Sequence, residues 1–181
     1  GIWQEYSWEE TYQKVCQFGL GLLEVGFKKG EKMAIVGDND PEWCWGQLGA
    51  QAVGGIVTGI FSDASPEEIK YILDHSESTV VLANDQEQVD KLLQIKEDLP
   101  RLRKVVYWDK KGLINYSNAI LIFYEDLLEM RKKRAKGAPE LIEQHIDQGK
   151  SEDICLLLYT SGTTGNPKGV MVTHKGLIQS T

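Results

Sequence analysis

The sequence predicts an α/β fold, a mainly parallel sheet with helices on both faces, and three observations predict it. Short apolar or β-branched runs alternate with amphipathic stretches from Lys32 to Trp108, joined by connections of a few residues. Two Ser-x-x-Glu signatures, Ser7-Trp8-Glu9-Glu10 and Ser65-Pro66-Glu67-Glu68, mark where helices open. Ile154-Cys155-Leu156-Leu157-Leu158-Tyr159 is a continuous apolar run of strand length, as expected of a strand buried on both faces in a parallel sheet.

Each element has its own justification. The first helix starts after Ser7, carries Trp8, Tyr12, Val15, Gly19 and Leu22 at helical spacing, and stops at Gly26. Lys32–Gly37 reads as a strand ending in the polar turn Asp38-Asn39-Asp40, and Asp40 with Pro41 opens the next helix. Trp43, Trp45, Leu48 and Ala52 lie on that helix, where aromatic side chains usually serve packing more than ligand binding. Ile56–Ile60 is a second strand, and Ser65 starts a helix through Ile69, Ile72 and Leu73. Thr79–Ala83 is the third strand, followed by a helix from Asp85 and Gln88 carrying Val89, Leu92 and Leu93, and Lys104–Trp108 is the fourth.

From Asp109 the rhythm breaks. Asp109–Gly112 is a turn, Leu121–Phe123 a short strand, Tyr124–Lys136 a helix and Pro139–Gln148 another. The basic run Arg131–Lys136 suits a solvated helix end, where cations complement the dipole, better than a binding patch. The chain thus divides into 1–108 with alternating units, 109–150 as an irregular helical insertion, and 151–181 as strand, loop, strand and the start of a helix. Gly1-Ile2-Trp3 does not read as a natural start and Thr181 falls just inside a helix, so a partial domain is expected.

Composition bounds the function. With 41% hydrophobic and 26% charged residues the chain is globular, and its net charge of -7 disfavours nucleic acid and anionic lipid. No apolar run approaches the ~20 residues of a membrane-spanning helix, so a cytoplasmic protein is expected, with peripheral membrane contact left open. Cys16, Cys44 and Cys155 read as buried thiols, and with His75, His145 and His174 scattered singly they form no metal-ligand pattern.

The stretch Tyr159-Thr160-Ser161-Gly162-Thr163-Thr164-Gly165-Asn166-Pro167-Lys168-Gly169 carries the chemistry. Glycines let backbone N–H groups approach an oxyanion, hydroxyls add rotatable donors, and Lys168 adds a compact positive charge, with no carboxylate to oppose it. The Walker pattern fails because Pro167 stands where its second glycine belongs, and the dinucleotide fingerprint fails because Thr164 replaces its second glycine. An ordinary Gly/Ser/Thr turn accounts for the glycines but not for Pro167-Lys168-Gly169 or the density of hydroxyls.

At every fixed position this stretch resembles the phosphate loop of the adenylate-forming superfamily, aromatic-Thr-Ser-Gly-Ser/Thr-Thr-Gly-x-Pro-Lys-Gly. Val25–Ile35, Asn39–Trp43, Gly54–Ile60 and Ser65–Leu73 extend the resemblance over almost the whole chain, to the N-terminal part of an acyl-CoA synthetase and, within that group, to the long-chain fatty acid ligases. The resemblance implies ATP, magnesium and coenzyme A. A carboxylate attacks the α-phosphorus to give acyl-AMP and pyrophosphate, and the thiol of coenzyme A then displaces AMP. It assigns the phosphates to Thr160, Ser161, Gly162, Thr163, Thr164, Gly165 and Lys168, with no catalytic residue and no metal ligand assigned within the chain. Small-molecule substrates are the implied partners, and exposed apolar surface near the loop is expected to favour self-association. A peptide-synthetase adenylation domain, a luciferase-like oxygenase and a non-catalytic phosphate-binding module remain alternatives.

Overall fold

A computed structural model describes residues 3–132, 138–160 and 166–180, with the side chains of 131, 132, 138 and 139 outside the described set. Among these residues seven strands form one sheet: β1 Lys32–Val36, β2 Ile56–Ile60, β3 Ser78–Ala83, β4 Lys104–Tyr107, β5 Leu121–Phe123, β6 Ile154–Thr160 and β7 Lys168–Thr173. Their order is β5-β4-β3-β1-β2-β6-β7, and every pair is parallel except β6 with β7. The predicted α/β class, with a mainly parallel sheet, holds.

Among the described residues seven α-helices accompany the strands: α1 Trp8–Glu24, α2 Pro41–Ala52, α3 Pro66–Ser76, α4 Gln86–Ile95, α5 Tyr124–Lys132, α6 Ala138–Asp147 and α7 His174–Gln179. One face of the sheet buries Phe18, Leu22, Met33, Trp45, Val57, Leu82 and Tyr124 against α1, α2, α5 and α6. The other buries Ala34, Ile60, Ile69, Leu73, Val81, Val89 and Leu92 against α3 and α4. Parallel strands require such crossovers, and the side-chain alternation of β1 and β3 fills both layers.

Local chemistry sets the helix ends. Ser7 and Ser65 complete capping boxes with Glu10 and Glu68, each serine oxygen accepting from the glutamate N–H and each carboxylate accepting from the serine N–H. At the end of α1, Gly26 at φ +82° lets Phe27 N–H reach the Leu22 carbonyl at 3.0 Å, and Gly26 N–H reaches Leu23 at 3.0 Å. Asp40 sits at the start of α2 without a capping bond; its Oδ2 instead accepts from Trp108 Nε1 at 3.0 Å.

Hydrogen bonds from the backbone and hydroxyl of Ser7 and of Ser65 hold Glu10 and Glu68 below the ordinary carboxylate range. Depressed carboxylates stabilise the fold above their unfolded pKa and lose that contribution as pH falls through the folded value. Ser65→Ala is therefore expected to cost about 1 kcal/mol near neutral pH. The gap from wild type in urea-unfolding midpoints should narrow once pH drops below 4.5, the unperturbed glutamate value; a gap that is constant across that range would remove the charged cap.

Three sequence expectations need correction. Trp8 is 88% exposed and Tyr12 is 42% exposed, while Cys16, Phe18, Leu20 and Leu22 supply the buried side of α1. Cys44 is exposed on α2, so only Cys16 and Cys155 are buried thiols. The β6 run is not buried on both faces: Leu158 is 48% exposed, because it lines an open cleft at the carboxyl end of the sheet. Of the basic run Arg131–Lys136, residues 133–136 lie outside the described residues.

Candidate phosphate-binding site

The carboxyl ends of the parallel strands meet at a cleft of about 360 Å³, lined by Gly37, Asp38 and Asn39 after β1, Ile60, Phe61 and Ser62 at β2, Trp43 of α2, and Leu158 and Tyr159 of β6. The chain passes from β1 through α2 to β2 on one side, then crosses through α3 to β3 on the other side of β1, which makes this end a topological switch point. Open α/β sheets bind ligands at such crevices.

A polar framework fixes the rim. Ser62 Oγ donates to Asp38 Oδ1 at 3.1 Å, and Asp38 N–H donates to Asn84 Oδ1 at 3.0 Å. Gln88 Nε2 and Lys91 Nζ both donate to the Ser62 carbonyl, at 3.1 and 2.9 Å. These contacts tie the turns after β1, β2 and β3 to α4, so the cleft wall is preorganised. Leu158 opens into the cleft, which is why the middle of an apolar strand is half exposed there.

Beside the cleft, the β6–β7 ladder runs Leu158↔Val170, Tyr159↔Gly169 and Thr160↔Lys168. Thr160 and Lys168 are therefore brought directly opposite each other, both exposed, at the two ends of the segment 161–167. Ser161, Gly162, Thr163, Thr164 and Gly165 lie outside the described residues. A hydroxyl and an ammonium borne on paired positions at the carboxyl end of β6 supply two donors of the kind an oxyanion takes. Burial, with Tyr71 nearby, raises the Tyr159 phenol above its ordinary value, so it remains protonated at neutral pH.

Sequence reasoning located this segment but missed the rim residues Asp38, Phe61, Ser62 and Asn84. Their signal was weak, since a polar turn after a strand is also ordinary loop chemistry. Among the described residues no group of three or more His, Cys, Asp or Glu side chains is placed to hold a metal ion, and no helix is long and apolar enough to cross a membrane. A second, wider groove of about 560 Å³ runs along Trp8, Tyr12, Val15, Leu48 and Ile146, and accounts for the outward-facing aromatics of α1.

Comparison with known proteins gives consistent matches. The family model described as AMP-binding enzyme matches residues 1–181. The long-chain-fatty-acid–CoA ligase ACSBG1 of Rattus norvegicus is 35% identical over 97% of this chain and 24% of its own length. The Drosophila melanogaster long-chain-fatty-acid–CoA ligase heimdall is 29% identical over 99% of this chain and 26% of its own. Among solved structures, the anthranilate CoA ligase AuaEII in complex with anthranoyl-AMP superimposes with TM-score 0.79 at 27% identity, over 95% of this chain and 30% of that one. Acetoacetyl-CoA synthetase from Streptomyces lividans shares the fold at TM-score 0.81 and 22% identity, over 98% of this chain and 27% of that one. The chain thus spans about a quarter of the length of the relatives it matches.

Proposed function

The chain belongs to the AMP-binding enzyme family, and from that premise we propose that it supplies the ATP phosphate-binding part of an ATP-dependent acid–CoA ligase. In this reading Thr160, Ser161, Gly162, Thr163, Thr164, Gly165 and Lys168 hold the phosphates. The reading is carried by one observation, the pairing of Thr160 with Lys168 at the carboxyl end of β6, beside the switch-point cleft. Two relatives named as long-chain-fatty-acid–CoA ligases support a long-chain fatty acid as the carboxylic acid activated.

Adenylation places extra negative charge on the departing pyrophosphate, so donors aimed there count for more in the transition state than in bound ATP. Hydroxyl and backbone N–H donors suit that task because they need no proton transfer, and Lys168 adds charge without directionality. Among the described residues no carboxylate cluster would hold magnesium; accompanying the nucleotide, the ion would supply further neutralisation of phosphate charge beside Thr160 and Lys168. The partial-domain organisation, with residues 109–150 inserted between the alternating units and the loop, belongs to the same proposal. So does the use of coenzyme A as acyl acceptor in the intact protein.

Pyrophosphate release by the intact protein, supplied with ATP-Mg and carboxylic acids of increasing chain length, tests the reading. Release dependent on the acid, strongest for long chains and accompanied by AMP, is the expected result. Formation of ADP and phosphate, or no acid dependence with any acid, would overturn it.

A further inference from the structure

Both ends of the loop are held by one helix that the phosphate chemistry does not use. Tyr71 and His75 stand four residues apart on α3, their rings stacked at 5.5 Å and 22°. Tyr71 Oη donates to the Pro167 carbonyl at 3.0 Å, immediately before Lys168. His75 Nδ1 lies 2.7 Å from Tyr159 Oη, immediately before Thr160, with the two rings edge to face at 5.7 Å. Tyr159 in turn faces its ladder partner Gly169, where an added Cβ would stand 3.2 Å from the tyrosine ring.

We propose that Tyr71 and His75 are positioning residues that clamp the two ends of the phosphate-binding segment, setting the register in which Thr160 and Lys168 meet a polyphosphate. The inference rests on the phosphate role proposed above for residues 160–168. Tyr71 packs against the core through its ring, and packing alone would be served by apolar rings, yet both polar atoms are committed to the loop's two ends. His75 is exposed and Tyr71 half-buried, so their bonds restrain the β6–β7 hairpin more than they stabilise the sheet. An edge hairpin held to its sheet by few ladder pairs needs such restraint, because β6 meets β2 only at Val57↔Leu156 and Thr58↔Leu157.

The test compares wild type, Tyr71→Phe/His75→Leu, His75→Leu and His75→Asn in the intact protein. Asparagine keeps a polar atom near the position of Nδ1. In the double variant, amide exchange is expected to rise about tenfold in residues 156–160, 166 and 168–170, with β3 unchanged. The kcat/KM for ATP in pyrophosphate formation should fall about tenfold or more, while KM for coenzyme A holds. His75→Asn should recover most of both effects relative to His75→Leu. Exchange unaltered at the hairpin, or raised equally in β3, overturns the clamp, as does a His75→Asn variant no better than His75→Leu. If wild type activates no carboxylic acid yet hairpin exchange responds as expected, the clamp stands and the ligase reading falls.

Discussion

Replacing Thr163 and Thr164 together with alanine in the intact protein is expected to slow acyl-adenylate formation by roughly tenfold to a thousandfold. The two hydroxyls lie in the segment bounded by the facing pair Thr160 and Lys168. If they act on the charge that develops as pyrophosphate leaves, their loss appears in the chemical step, with a smaller change in ATP affinity. Rapid-quench measurement of acyl-AMP in a single turnover separates the two. Formation at the wild-type rate would strip both threonines of the role. Lys168→Ala should have the milder effect, because the lysine is exposed and its point charge is partly screened by salt.

Much of the fold was legible because local signals agreed with the tertiary arrangement. Ser7 and Ser65 opened their helices as their capping boxes required, and the four alternating strands up to Tyr107 lie where short β-branched and apolar runs placed them. The α1 stripe misled at its first two turns, where Trp8 and Tyr12 face outward, whereas Phe18 to Leu22 are consecutively buried as the helix packs on α2, α5 and α6. In β6 the apolar composition was read as two-sided burial, but Leu158 faces a cleft, and clefts also favour apolar walls. The loop was legible as a motif, while its support was not. Tyr71 and His75 reach it across sequence separations of 96 and 84 residues, and on α3 they look like ordinary surface positions beside Ile72 and Leu73.

Gly49→Val is expected to destabilise the fold by about 3 kcal/mol or more, the upper end of overpacking costs. α1 and α2 cross at a pair of glycines with backbone against backbone. A Cβ on Gly49 would stand 2.8 Å from the Val15 carbonyl oxygen and 3.0 Å from the Gly19 nitrogen, and one on Gly19 would stand 2.7 Å from the Gly49 oxygen. All three of these obstacles are backbone atoms, so relief requires the helices to separate. Gly49→Ala sets two effects against each other, since alanine gains about 1 kcal/mol of helix propensity. The clash should still dominate, leaving a net loss of about 1 to 2 kcal/mol. Gly176→Ala in α7 is the control, because its Cβ would meet nothing closer than Thr173 Oγ1 at 3.4 Å. Urea-unfolding midpoints of the three variants should order Gly176→Ala at or above wild type, then Gly49→Ala, then Gly49→Val. The crossing also matters to the site, because α2 carries Trp43 to the cleft wall and Asp40 to the Trp108 indole. A Gly49→Val protein with the wild-type midpoint would mean that the two helices do not meet at these glycines, and the position of the cleft wall would then need another cause.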